Sequence, residues 1–419
     1  MARLFTDAIR PTLMAMRLAG ATLPVLMLGF AFLHFAHRHR VSPERARVVL
    51  WMLLFATPLF AYGLMLFGHA LTTASLFFAW LCLDARRAWM GGAMLGFAVV
   101  SEYTAVFPAM VLLISVMASR DWRVVTRVVA GGIPFAVLLG AYHLAAFGNV
   151  FSNPYQFSRN PGFRELIASG IFGLQIPSPV TGLRIFLDPT YGLVVLAPVL
   201  IMALASLSAA KRSLPPAAWR TLVAVPAILV VIYAGYPYWH GGWNVGPRFL
   251  VPMLPFLFAA LLFRSGSTME TVLGGGSAAI IALTTLVFPF VPEAFKLPWA
   301  SLSIPLLREG LIGPNLLHLV WKPAALVVPF AIVIAAAWLA LSHRCYVALA
   351  GAALAILAGM AWVSSNPDSL ITMQRAYIAE IYFEQKGAME RAMPPGRVPP
   401  GLIRRRAVEL TLPPPGWPF

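Results

Sequence analysis

Charge is what this sequence has least of. Asp, Glu, Lys and Arg together make up 11% of its 419 residues, against roughly 25% in an ordinary soluble domain. A soluble surface of this size cannot be covered with so few charges. Cysteine is nearly absent as well: Cys82 and Cys345 are the two present, too few for a disulfide scaffold. Both fall at the ends of apolar runs on the side read below as cytoplasmic, where reducing conditions favour inert thiols. Glycine shows no period, which excludes a collagen-like chain. No P-loop, HExxH, GxSxG or Cys-x-x-Cys occurs, so soluble enzymes built on those motifs are excluded too. What remains is apolar: 60% of residues are hydrophobic and mean hydropathy is +0.79. That composition excludes disorder and defines a polytopic integral membrane protein.

A helical span needs about 20 apolar residues for a hydrocarbon core of ~30 Å. About twelve runs qualify, some of them short: 18–36, 48–67, 69–83, 90–101, 103–118, 124–147, 189–208, 219–237, 249–263, 272–291, 323–341 and 345–363. The expected fold is therefore an all-α transmembrane bundle. Gly91, Gly92 and Gly96, and then Pro108, mark 90–101 and 103–118 as short or broken helices, which need neighbouring protein to satisfy their backbone. Gly274–Gly276 reads as a helix start or packing feature.

The formal charge of +16, from 31 Lys+Arg against 15 Asp+Glu, would raise the question of nucleic acid in a soluble protein. Here the basic residues cluster between apolar runs, with no aromatic-interleaved basic stripe, so nucleic acid is not an expected partner. Arg38, Arg40, Arg45 and Arg47; Arg86 and Arg87; Arg120, Arg123 and Arg127; Lys211, Arg212 and Arg220; Arg264; and Arg344 occupy alternate connections. Short basic connections read as cytoplasmic, next to anionic lipid. The other connections face outside: Gly68–His69, the turn at Glu102, the loops 148–188, 238–248 and 292–322, and the tail 364–419. That tail is expected to pack poorly as a domain, with one amphipathic helix over about 368–390 and then a stretch too Pro-rich for a fold. The amphipathic segment 1–17 is then external too. It lacks the n-region, h-region and cleavage site of a secretory signal. An external start with nothing to carry it across points to a further span upstream, the alternative being a short N-tail that translocates unaided.

The richest segment runs from Tyr236 to Arg248, YPYWHGGWNVGPR. Two readings compete. An interfacial aromatic belt accounts for Tyr238, Trp239 and Trp243, with Arg248 snorkelling to headgroups. It does not account for Gly241, Gly242, Gly246 and Pro247, which fix a tight backbone path beside a span. A guanidinium held there suits a phosphate, which its rigid fork binds bidentately, and Trp and Tyr faces suit a sugar ring. Glu102 is either a turn cap or a functional carboxylate, since an acid near membrane depth is expensive. His69 opens a span at the same level and reads alone as structural. Asp188 reads as a cap before a span, with a functional acid as its alternative.

Taken in order, these residues resemble a known family. Phe67-Gly-His-Ala-Leu71, Ser101-Glu-Tyr103, Tyr142-His with Phe147-Gly, Phe186-Leu-Asp-Pro-Thr-Tyr-Gly192 with Ala197-Pro198, and Gly241-Gly-Trp-Asn-Val-Gly-Pro-Arg248 with Pro252-Met-Leu-Pro255 are similar to bacterial membrane glycosyltransferases of the C superfamily. The likeness covers residues 18–265, and the Gly-Gly-Trp…Gly-Pro-Arg element is its most specific part. It implies transfer of a mannosyl- or arabinosyl-like sugar from a polyprenyl-phosphate donor to an acceptor outside the plasma (inner) membrane. Arg248 would hold the donor phosphate. Tyr238, His240, Trp243, Asn244, Tyr103 and His69 would line the substrate site, and a divalent metal is a conceivable helper. That family's base sits on a long loop after its first span. Residue 18 corresponds to the start of its second span, so the base has no counterpart here; Asp7 is at most the stub of that loop, and Glu102 is the candidate acid that remains. A transporter or flippase of lipid-linked or anionic substrates, or a non-catalytic membrane subunit, is the alternative. No internal repeat of the transporter kind is visible, and the spans hold few ionisable groups for ion coupling.

Overall fold

Proline breaks some of the expected spans and leaves others whole, since three helices run on through Pro134, Pro226 and Pro329. In the computed structural model, which describes residues 9–392 apart from 153, 158–160, 169, 171–172 and 320, the described residues are 76% helical and form no strand. Helix is the secondary structure that satisfies its own backbone in lipid without a partner strand. Five stretches are long and apolar enough to cross a membrane: Thr12–Arg38, Trp122–Phe147, Pro216–Ala234, Thr268–Val287 and Pro323–Ser365. The last contains two helices, Lys322–Leu341 and Cys345–Ser365, joined by a 3-10 turn at Ser342–Arg344. The chain is thus a helical membrane protein.

These five stretches cover six of the twelve runs expected; 69–83, 90–101 and 103–118 form helices too short to qualify, and the other three runs are cut. The run 48–67 divides into Pro43–Phe55 and Leu59–Leu64 at Pro58. There the Thr57 hydroxyl donates to Leu53 O (2.7 Å) and accepts from the Leu59 amide (3.2 Å). The run 189–208 becomes Leu193–Leu196, Leu200–Ala205 and Leu207–Ser213, interrupted at Pro198; the freed Val199 amide donates to Ser277 Oγ at 3.0 Å. Pro252 and Pro255 turn the start of 249–263 into the 3-10 segment Arg248–Met253 before Leu254–Leu261. The N-terminal boundary differs from expectation as well. The boundary expected between residues 17 and 18 falls inside the continuous stretch Thr12–Arg38, and residues 1–8, with Asp7, lie outside the described residues. The tail forms Ser369–Tyr382 and Ala388–Arg391. It packs better than its composition suggests: Tyr377 and Ile378 are buried, and Arg375 Nη1 donates to Ser301 O at 3.2 Å. The Pro-rich stretch from 393 lies outside the described residues.

Thr268–Val287 is the centre of the molecule, with 78% of its apolar window buried; Trp122–Phe147, at 17%, is peripheral and turns Ile133, Val137 and Leu138 outward, as a lipid-facing helix must. Two crossings are set by glycine. A Cβ on Gly275 would fall 1.9 Å from Ala348 O, and one on Gly351 2.0 Å from Val272 O. Gly92 meets Val128 O (1.9 Å) and Gly131 meets Trp89 O (2.3 Å) in the same way. These are the small-residue contacts by which helices associate in lipid, where apolar side chains gain nothing by leaving their surroundings.

At the basic end, Arg45 reaches from Pro43–Phe55 to the buried Glu270. Its guanidinium pairs with Glu270 Oε1, donates to Oε2 at 3.0 Å, and also donates to Leu261 O at 2.6 Å. A residue expected only to mark orientation therefore also clamps two helices. Cys82 and Cys345 are free thiols.

Candidate functional site

Gly68–Asp84 starts against the end of Ala88–Ser101. The approach is close enough that a Cβ on Gly68 would lie 2.6 Å from Ser101 O, so this position requires glycine. The contact sets His69 beside Glu102, with Nδ1 3.6 Å from Oε2, inside ion-pair range and too long for a hydrogen bond. Glu102 leaves the helix in an extended conformation (φ −155°, ψ 116°), and its other oxygen accepts from Thr104 Oγ1 at 3.4 Å. Its side chain is 17% exposed. Burial pushes the carboxyl above its usual range, against the opposing pull of the Arg248 guanidinium and the Thr104 hydroxyl.

The loop 238–248 brings Arg248 to the same place. Gly241, Gly242 and Gly246 all have positive φ (80°, 96° and 73°), the left-handed region that glycine enters without steric cost. At Gly241 space matters as much as angle, since a Cβ there would lie 2.6 Å from Arg248 Nε. The guanidinium lies between two rings, Cζ being 5.3 Å from the Phe67 centroid and 5.0 Å from that of Phe249, within reach of cation–π attraction. Its Nε is buried without a hydrogen-bond partner, and Arg248 takes part in none of the ion pairs among the described residues.

Glu102 and Arg248 both line a cavity of about 420 Å³, walled by Tyr103, Tyr155, Tyr233, Tyr236 and Tyr238 among others. Of the residues singled out from sequence, Glu102, Tyr103, Tyr238 and Arg248 line it, and His69 is buried behind Glu102.

His240, Trp243 and Asn244 are not among the lining residues. His240 Nδ1 accepts from the Gly242 amide at 3.2 Å, and Asn244 Nδ2 donates to His240 O at 3.1 Å, so both hold the loop in shape. The His240 ring stacks on Tyr191 (4.7 Å, 9°), with Nε2 3.7 Å from Glu293 Oε1. Burial pushes this imidazole down to about 4. Trp243 is half-buried. Asp188 Oδ1 accepts from the amides of Thr190 and Tyr191, both at 2.9 Å, which is the work of a turn cap.

Sequence reasoning missed His143, which lines the cavity. Its Nδ1 is 3.1 Å from Val150 O and its Nε2 is 3.1 Å from Tyr103 OH. A carbonyl only accepts, so Nδ1 carries a proton and donates to it, while Nε2 and the tyrosine hydroxyl share the second hydrogen bond. Tyr155, Tyr233 and Tyr236 also escaped notice as a set. The available signal was the recurrence of tyrosine at run ends assigned to one side.

Among the described residues no group of three or more His, Cys, Asp or Glu is placed to hold a metal ion. The site thus consists of a carboxylate and a guanidinium lining one aromatic-walled cavity in a helical membrane protein. Compared with family models, curated proteins and solved structures, the chain matches none.

Proposed function

We propose that this chain is an integral-membrane glycosyltransferase that moves a sugar from a polyprenyl-phosphate donor to an acceptor on the outer face of the plasma membrane. The observation that carries the reading is that Glu102 and Arg248 line one tyrosine-walled cavity. The resemblance of residues 18–265 to C-superfamily enzymes adds to it. An acceptor hydroxyl attacks the anomeric carbon and gives its proton to Glu102, whose raised pKa makes it a stronger base than an exposed carboxylate. The bond between the anomeric carbon and the phosphate oxygen breaks, and the charge left on the lipid phosphate falls to Arg248, preorganised by Gly241 and two phenyl rings. His143 orients the Tyr103 hydroxyl toward the bound sugar. On this reading the bundle has about twelve crossings. Short helices in series, such as Leu193–Leu196, Leu200–Ala205 and Leu207–Ser213, complete those that no single long helix makes, and the loops 148–188, 238–248 and 292–322 face outside.

The full chain, reconstituted in proteoliposomes with a radiolabelled polyprenyl-phosphate sugar, should cleave the sugar–phosphate bond, with transfer to an added acceptor or to water. Binding of the donor without cleavage would replace the proposal with a non-catalytic subunit. Net movement of intact donor between leaflets would replace it with a flippase.

A further inference from the structure

A second charged hollow lies at the other end of the bundle. Gly68–Asp84 carries His69 beside Glu102 at its start, and Asp84 at its finish pairs with Arg38 (3.0 Å). Its 17 residues separate the two ends by about 25 Å at 1.5 Å per residue. Just beyond Arg38, a hollow of about 470 Å³ is lined by His39, Arg40, Ser42, Arg45, Arg264 and Ser265, among others. Arg344 joins them from a separate segment: its Nη1 and that of Arg45 each lie 3.3 Å from where a Cβ on Gly266 would be.

The charges here do not balance. Glu270 is the carboxylate that reaches the cluster, and Arg45 claims both of its oxygens. Asp84 is taken by Arg38. Arg40, Arg264 and Arg344 appear in none of the ion pairs among the described residues. With Glu44 in the first turn of Pro43–Phe55 set against these three, a surplus of two guanidinium charges remains around one concavity, with His39 beside them. Pro43–Phe55 and Thr268–Val287 also begin at its lip, capped by Ser42 and Ser267, and their N-terminal dipole ends add to the positive field. Arg40 is held at φ +56°, a conformation that costs free energy in a non-glycine residue. Beside the hollow, Met269 is 60% exposed and Tyr346 79% exposed; large side chains left open next to helix ends suit contact with lipid.

We propose that this hollow binds the phosphate of an anionic phospholipid headgroup. Planar guanidinium forks match phosphate oxygens, and the location among the ends of membrane helices makes lipid the source of that phosphate. The inference depends on the membrane reading and is independent of the glycosyltransferase proposal.

The full chain should be placed in nanodiscs of phosphatidylcholine with and without phosphatidylglycerol, read by thermal unfolding and by native mass spectrometry of the lipids retained. The parent should retain phosphatidylglycerol preferentially and unfold at a higher temperature in its presence. The double variant Arg264→Gln/Arg344→Gln removes two unpaired charges and should keep its unfolding temperature in pure phosphatidylcholine. It should lose the preference by roughly thirtyfold, given the usual worth of a basic residue at an anionic surface. Arg120→Gln/Arg123→Gln, a basic pair elsewhere, should leave the preference intact. Three results would overturn the proposal: no preference in the parent, equal loss in both double variants, or stabilisation by inorganic pyrophosphate in pure phosphatidylcholine that matches that of phosphatidylglycerol.

Discussion

Arg248 is built in rather than draped over a surface. Phe67 and Phe249 flank its guanidinium, and its stem passes where a Cβ on residue 241 would otherwise sit. An interfacial anchor would tolerate lysine, whereas a phosphate fork would not, because an ammonium is a point charge. Arg248→Lys and Arg248→Ala should each weaken donor binding by roughly ten- to a hundredfold, the worth of about 1.5–3 kcal/mol for a charge-assisted contact. Binding within about twofold of the parent, measured with folding checked separately, would reduce Arg248 to an anchor. Glu102 offers a test through pH. Its folded-state pKa lies above the ordinary 4.5, so the folded protein favours the protonated acid. The associated stabilisation is complete below the unfolded value and is lost as pH rises through the folded one. Glu102→Gln, which carries no charge, should therefore unfold at a higher temperature than the parent at about pH 8 and converge with it near pH 4, while losing cleavage of the donor. His240 runs the other way: its pKa falls from 6.5 to about 4, so its contribution is present above 6.5 and lost as acid protonates it.

At the scale of the helix, glycine placement decides more than hydropathy. Gly275 and Gly276 are neighbours in one helix, yet a Cβ on Gly275 meets a backbone oxygen at 1.9 Å and one on Gly276 meets its nearest atom at 3.2 Å. Gly275→Ala should therefore lower the unfolding temperature clearly more than Gly276→Ala; equal effects would mean that the crossing relaxes freely. Long runs such as 124–147 and 345–363 were legible from composition, because lipid demands about 20 apolar residues in a row; in the first the helix continues through Pro134. The breaks at Pro58 and Pro198 were not read. Hydropathy averages over them, and what makes them tolerable is a distant or local hydroxyl, Ser277 or Thr57, that takes up the freed backbone groups. The site divided along the same line. Arg248 and Glu102 stood out because a charge among apolar residues is visible locally. His143 did not, since its meaning depends on Tyr103, 40 residues away. The loop-holding contacts of His240 and Asn244 depend on a backbone path that a list of glycines cannot specify.

Across the whole molecule, the two charged hollows stand at opposite ends of one helix, and the proposed topology puts them on opposite sides of the membrane. Single cysteines at positions in 238–248 should react with an impermeant thiol reagent from outside in intact cells, and a cysteine at Arg264 only after permeabilisation; the reverse pattern would invert the orientation and remove the site from the outer face. The paired glycine crossings extend beyond stability, to descent. Since a side chain at residue 275 collides with the backbone at 348, and one at 351 with the backbone at 272, neither position can drift alone. Gly92 and Gly131 are locked in the same way. Any homologue that keeps this fold should carry glycine at all four places even where the intervening apolar residues have been exchanged beyond resemblance. Four small residues at fixed separations are then the trace by which distant kin of this chain can be traced.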